Sequence, residues 1–244
     1  MKEETKKNLI KYLGILLLIV ITTVGLVILF INRESDAKKF KREYEKLNET
    51  VRESDGQTYG TINIDEKNPI KYISAKEAVD ILDSEKAIIY FGAPWCPWCR
   101  NAIPVLFEVA KQYSVETIYY VELDDIKSTY EIIDNKLVKT KQGTKEYYQL
   151  LDKLKPRLKE YTISNGEGQI FHADERRIYM PYVVAVKNGR VVADKIGTVG
   201  LDEGQTKYDS LTESQWEQLN NDYQTLFKLV YKDNSPECGD DVCD

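Results

Sequence analysis

The chain has 244 residues, enough for one domain of ordinary size with additions. Its 34 basic and 40 acidic residues give a net charge of −6, and the charge blocks are mixed in sign, which excludes a basic nucleic-acid-binding surface. His172 is the only histidine, which excludes a histidine metal cluster.

Residues 1–11 are polar and lysine-rich. From Tyr12 to Ile31 the chain then carries no charge, and its only hydroxyl side chains before Asn32 are Tyr12, Thr22 and Thr23. About 20 such residues are what a helix needs to cross a bilayer, so 12–31 is expected to be an uncleaved anchor held in lipid. A cleaved signal would have a shorter apolar core and a small-residue cleavage site, and Ser35-Asp36-Ala37 is a poor one. Basic residues flank the run on both sides, so charge does not orient it.

Residues 32–57 read as a charged juxtamembrane helix and linker. Phe40, Tyr44, Leu47 and Val51 make a narrow apolar stripe, suited to a spacer or dimer contact or to packing on the following domain. Ser54-Asp55-Gly56-Gln57 breaks the pattern, and Tyr59–Ile64 is expected as an edge strand. Ser74-Ala75-Lys76-Glu77 is a capping box opening a helix to about Leu82.

Ala87-Ile88-Ile89-Tyr90 reads as a strand. It leads into Phe91-Gly92-Ala93-Pro94-Trp95-Cys96-Pro97-Trp98-Cys99-Arg100 and then a helix to about Tyr113. That order suits dithiol–disulfide chemistry. Cys96 falls at a helix N-terminus, where unpaired N–H groups and the helix dipole favour a thiolate. Cys99 follows one turn along on the same face, and Pro97 fits an early position where no N–H is needed. A Cys-x-x-Cys pair by itself also suits zinc. Thr117–Leu123 is rich in β-branched and aromatic residues and reads as a strand.

The segment of about 126–178 is long. Within it Glu146–Tyr161 has helical periodicity, with Pro156 expected to bend it, and Ser164–Gly168 reads as a loop. It either caps the sheet or forms a substrate-binding surface. Alternating valines on both sides of Asn188-Gly189 mark a tight hairpin. Thr212-Glu213-Ser214-Gln215 opens a C-terminal helix with Trp216, Leu219, Tyr223, Leu226, Phe227 and Val230 on one face. The acidic tail, 233–244, holds Cys238 and Cys243. Their spacing suits a small disulfide ring, a mobile redox relay to Cys96/Cys99 or, with Asp240, Asp241 and the Cys96/Cys99 pair, a metal.

Trp95-Cys96-Pro97-Trp98-Cys99, together with Met180-Pro181-Tyr182-Val183-Val184 and its hairpin, resembles the thioredoxin superfamily over about Lys71–Tyr231. The resemblance implies an α/β thioredoxin-like fold, a central mixed sheet flanked by helices, here over 58–232 with a helical insertion and an N-terminal transmembrane helix. It implies that Cys96 is the attacking and Cys99 the resolving cysteine. It also implies a cis Met180–Pro181 bond beside the sulfurs, with Gly197 following the second hairpin strand. Trp95, Pro97, Trp98, Met180 and Pro181 would then contact substrate or support the site, and Cys238/Cys243 would be a possible second redox pair. Tyr90 stands where the family carries a buried acid, and a phenol, with an ordinary pKa of about 10, is a poor base at neutral pH. No cofactor is implied beyond a Cys96–Cys99 disulfide, and no metal. The single anchor resembles membrane-bound thioredoxin-like proteins of Gram-positive bacteria, including those accompanying bacteriocin export. It implies an extracytoplasmic domain that acts on cysteines of exported proteins and exchanges electrons with a membrane or extracytoplasmic redox partner. The alternative is a non-catalytic chaperone or assembly module of a membrane complex.

Overall fold

The computed structural model describes residues 2–31 and 34–232; in the first stretch it describes side chains at 8 and 11–24. Cys238 and Cys243 lie outside the described residues. Two compact units result, 1–35 and 36–244.

The first unit contains one helix, α1 (Lys2–Ile31), whose described side chains are exposed. Among the described residues, no helix is long and apolar enough to cross a membrane. The uncharged run 12–31 continues past residue 24 into side chains outside the described set.

The second unit opens with α2 (Asp36–Glu45), and here the expected boundary at residue 58 is corrected. Phe40 and Tyr44 are fully buried in the main core, so α2 belongs to the domain and is not a linker. The apolar stripe packs on its own domain because the four-residue spacing stacks both rings on one helix face. They lie 4.3 Å apart, and the Phe40 ring also meets Tyr120 edge-on at 5.1 Å. Residues 59–64, expected as an edge strand, carry no strand; the segment is held instead by bonds such as Asn48 Nδ2 to the Ile62 carbonyl at 2.9 Å.

Five strands form the central sheet: β1 (Ile70–Tyr72), β2 (Lys86–Gly92), β3 (Ile118–Glu122) and, after two intervening hairpins, β8 (Tyr182–Lys187) and β9 (Arg190–Ile196). Their order is β1-β3-β2-β8-β9, with β1, β3 and β2 parallel and β8 and β9 antiparallel. Strand β2 reads as a continuous apolar run because both of its faces are covered. Ile88 and Tyr90 face α2, α4 (Pro97–Gln112) and α6 (Glu213–Tyr231), whereas Ala87, Ile89 and Phe91 face α3 (Ala75–Ile81) and α5 (Lys145–Leu154). Each such fully buried Ile or Phe contributes about 1.5–3 kcal/mol. The capping boxes at Ser74 and Thr212 are both formed.

Between β3 and β8 the expected helical insertion is corrected. Helix α5 ends at Leu154, two residues before Pro156, so the proline stops the helix and Tyr161 lies on a strand. Around α5 stand two hairpins: β4 (Thr129–Ile133) with β5 (Lys136–Lys141), and β6 (Lys159–Ser164) with β7 (Ile170–Arg177). The first turns on Asp134-Asn135, both at positive φ (48° and 58°), the geometry of a two-residue primed turn.

Candidate active site

Strand β2 delivers the chain to the site and β8 delivers its counterpart. Because the two are antiparallel, with Phe91 opposite Tyr182, the exit of β2 toward Cys96 lies beside the entry to β8 from Met180-Pro181. The Met180–Pro181 peptide is cis. The Gly197 N–H donates to the Pro181 carbonyl at 2.7 Å, and its φ of 74° is one that glycine adopts without strain. The Cys96 thiol faces the Met180 carbonyl at 3.9 Å.

Cys96 caps α4. Its sulfur accepts the Cys99 N–H at 3.3 Å, and Pro97 occupies the first turn. The Cys96 thiol is held below its ordinary value. The first cause is a hydrogen bond from the Cys99 side chain; burial opposes it, and the Cys99 and Trp98 N–H groups and the Lys127 ammonium add to it. Burial pushes the Cys99 thiol well up, and its bond to Cys96 adds to that. Both cysteines are free thiols; Cys96 is 5% exposed and Cys99 fully buried. The pair is thus asymmetric: the surroundings favour the thiolate of the outer sulfur and disfavour that of the inner one.

Trp95 and Trp98 are half-buried against the main core. The Trp95 carbonyl accepts the Tyr59 hydroxyl at 2.7 Å, and its indole N–H donates to Asp124. Asp124 also pairs with Lys127, whose ammonium lies 4.9 Å from the Trp95 ring centre. Tyr59 is held from behind by a clasp joining Arg52, Asp55, Lys207 and Tyr208, in which the Tyr208 hydroxyl donates to Asp55 at 2.6 Å. That bond is the chief cause holding the Asp55 carboxyl down at about 2.

Arg100, next to Cys99, is a buried cation. Its guanidinium donates to the Tyr44 carbonyl at 2.6 Å and the Gly60 carbonyl at 2.8 Å and lies over the Tyr59 ring, tying α2 and residues 59–60 to the first turn of α4. A cavity of about 340 Å³ opens here between Tyr59, Pro97, Asn101, Tyr208 and Trp216.

Of the residues singled out in sequence, Trp95, Cys96, Pro97, Trp98, Cys99, Met180 and Pro181 come together. Lys127, Asp124, Tyr59 and Arg100 were not singled out. They act through distant contacts, and only the adjacency of Arg100 to Cys99 was legible. Among the described residues, no group of three or more His, Cys, Asp or Glu could hold a metal.

Residues 68–155 match the family model described as Thioredoxin, a stretch from just before β1 to the end of α5 that contains both site cysteines but stops short of Pro181. Solved structures similar to this chain include thioredoxin O2 from Arabidopsis thaliana, oxidised (18% identity, 68% of this chain and 97% of that chain covered, TM-score 0.35). Others are the oxidised thioredoxin from Plasmodium falciparum (18%, 64% and 98%, 0.32) and oxidised mitochondrial thioredoxin 3 from Saccharomyces cerevisiae (17%, 52% and 83%, 0.29). No curated protein matches the chain. The sheet order, the helices on both faces and the match of residues 68–155 to the Thioredoxin model define a thioredoxin-like α/β fold.

Proposed function

We propose that this chain is a thiol–disulfide oxidoreductase working through Cys96 and Cys99. The observation that carries the reading is the asymmetry of the pair: Cys96 at the helix cap beside Met180-Pro181, its pKa lowered, and Cys99 buried one turn behind it with its pKa raised. In the reducing direction the Cys96 thiolate attacks a substrate disulfide and forms a mixed disulfide, and one substrate sulfur leaves with the electron pair. Cys99 then attacks the Cys96 sulfur, releasing the second substrate thiol and leaving a Cys96–Cys99 disulfide. Run backwards, the same steps oxidise a substrate dithiol. Donors that stabilise the Cys96 thiolate stabilise the reduced protein and make its disulfide a better oxidant, which favours oxidase or isomerase work. The two half-buried tryptophans and the recess beside Pro97 and Trp216 offer apolar contact to the residues flanking a substrate cysteine.

The uncharged run 12–31 supports a membrane anchor with the domain facing outward, where disulfides persist, and cysteines of exported proteins as substrates. The electron partner would be a membrane or extracytoplasmic redox protein, and the redox group the cysteine pair itself. Cys238/Cys243 would be a second pair.

The test is trapping. Cys99→Ala incubated with oxidised substrate protein accumulates a mixed disulfide at Cys96, visible on a non-reducing gel and lost in Cys96→Ala. Absence of any adduct, with unaltered function of the double variant in cells, would leave a non-catalytic assembly module.

A further inference from the structure

The recess beside Pro97 measures about 340 Å³, within the range of small-ligand sites, about 300–1,000 Å³. Two cations line it, Arg100 and Lys207, and no carboxylate does. Arg100 is 6% exposed. Its guanidinium donates to the Tyr44 and Gly60 carbonyls and, at 2.5 Å, to Asn48 Oδ1, all of them neutral acceptors. Among the described residues no carboxylate forms an ion pair with it, and burial holds the guanidinium below its ordinary value. A buried charge with no opposite charge is costly. The Lys207 side chain is 38% exposed, with its ammonium 3.3 Å from Asp55. Three acids stand near the recess but outside its lining, and each has a partner. Asp55 pairs with Arg52 and Lys207, Glu49 accepts the Thr61 hydroxyl at 3.1 Å, and Asp209 accepts the Thr206 hydroxyl at 2.8 Å.

The walls are additions to the family fold. Residues 59–63 and 207–211 with Trp216 lie outside the stretch that matches the Thioredoxin model, whereas Pro97, Arg100 and Asn101 belong to the start of α4 inside it. Arg100 holds the Gly60 carbonyl and Asn101 Nδ2 donates to the Asp209 carbonyl at 2.9 Å, so both walls are pinned to α4. A recess held open in this way loses little freedom when it is filled. Pro97 follows Cys96 directly, so a polypeptide joined to Cys96 has its flanking residues beside the opening.

We propose that the recess is a subsite for a carboxylate side chain, through which the protein selects substrate polypeptides with acidic residues close to the reacting cysteine. The inference rests on the oxidoreductase reading above and names the substrate class of the same site. A Glu or Asp near that cysteine enters the recess with its methylene stem against Pro97 and Trp216 and its carboxylate toward Arg100 and Lys207. The carboxylate brings the opposite charge that the buried guanidinium lacks, and hydrogen bonds between charged groups are the short, strong ones. An amide of the same shape fills the space without neutralising the charge. A lysine there meets two like charges and is rejected.

The experiment uses the full chain with Cys238→Ala/Cys243→Ala, reduced, and short peptides whose single cysteine is flanked on both sides by Glu, Gln or Lys. Each peptide is a mixed disulfide with pyridine-2-thiol. Cys96 attacks the peptide sulfur, the peptide–pyridine S–S bond breaks, and its electron pair leaves on pyridine-2-thione, which absorbance records. Rates below saturation are divided by those with dithiothreitol, which removes differences in intrinsic reactivity. The expected order is Glu, then Gln, then Lys. Glu exceeds Gln by about tenfold or more at low salt, the worth of a hydrogen bond to a charged group, and the gap narrows as salt is added. Lys207→Glu lowers that preference about two- to fivefold, the worth of a half-exposed ion pair. Lys153→Glu makes the same change of charge on α5, on the opposite face of the sheet, and leaves the preference in place. Equal Glu and Gln rates in the parent overturn the proposal, as does a preference that Lys207→Glu and Lys153→Glu disturb alike. A Glu preference that emerges only after Glu237, Asp240, Asp241 and Asp244 are changed to amides also overturns it, since the recess would then belong to the chain's own tail. Peptides that never react remove the oxidoreductase reading itself. Calorimetric binding of the S-methyl peptides to Cys96→Ala/Cys99→Ala then carries the test, and equal affinities for the Glu and Gln forms are fatal.

Discussion

Replacing Phe40 by alanine tests whether α2 is part of the domain. The ring is fully buried, stacks on Tyr44 at 4.3 Å, meets Tyr120 at 5.1 Å, and lies within 6.3 Å of Phe107 and Tyr72. Truncation of a buried Phe costs about 3–5 kcal/mol from lost transfer energy and the cavity left behind. Aromatic pairs add about 0.5–1.5 kcal/mol each beyond area, although these terms are not additive. Surrounding rings are stiff and close on a void poorly, which puts Phe40→Ala at the upper end, about 4–5 kcal/mol. Against a total stability of about 5–15 kcal/mol this is a large loss. Thermal unfolding of the full chain is the assay, and at about 2–4 °C per kcal/mol for a domain of this size the midpoint falls by about 8–20 °C. A shift under about 2 °C would show that α2 carries no packing energy and would return residues 36–45 to the role of linker. Deleting residues 1–55 makes the same point more severely, because it removes Phe40, Tyr44 and the acceptors of Arg100 at 44 and 48.

Three further outcomes follow from named contacts. Tyr223→Phe removes a buried hydroxyl that has no hydrogen-bond partner among the described residues and leaves the ring in place, so it raises stability by up to about 1–3 kcal/mol in urea titration; a loss would mean the hydroxyl is bonded. Gly92→Ala forces a methyl group onto the Tyr90 ring and costs about 1–3 kcal/mol, and a Tyr90→Leu background lessens that cost in a double-mutant cycle. Cys99→Ala raises the titration midpoint of Cys96, read from the pH dependence of its alkylation, and Lys127→Met raises it less. The sign has a counterpart in stability. Between the depressed Cys96 value and the ordinary thiol value the folded reduced protein binds fewer protons than the unfolded chain, so stability rises with pH in that window. The gain is lost as pH falls through the Cys96 value.

The elements legible in the sequence are those with one dominant signal. Strand β2 showed itself as an apolar run, the β8–β9 hairpin through Asn188-Gly189, and α3 and α6 through their capping boxes. The site cysteines were legible because the strand, Cys-x-x-Cys and helix are consecutive. Helix α2 was visible as a helix, but whether it was core stayed open, because a narrow apolar stripe looks the same on a linker as on a domain. The hairpins of the insertion stayed hidden because their strands bury little, so apolar alternation is faint, and the turn at Asp134-Asn135 lacks glycine. Tyr90 looked like a core aromatic, and by burial it is one. Its hydroxyl contact to Tyr44 spans 46 positions and left no local trace.

The central claim is that Cys96 and Cys99 form a cycling redox pair. It is tested most directly by equilibrating the full chain, with Cys238 and Cys243 replaced by alanine, in glutathione buffers of graded ratio and trapping free thiols. The expected result is a single reversible two-electron transition, absent in Cys99→Ala, with a potential at or above that of the glutathione couple. A pair that stays reduced, or stays oxidised, across every buffer would contradict it.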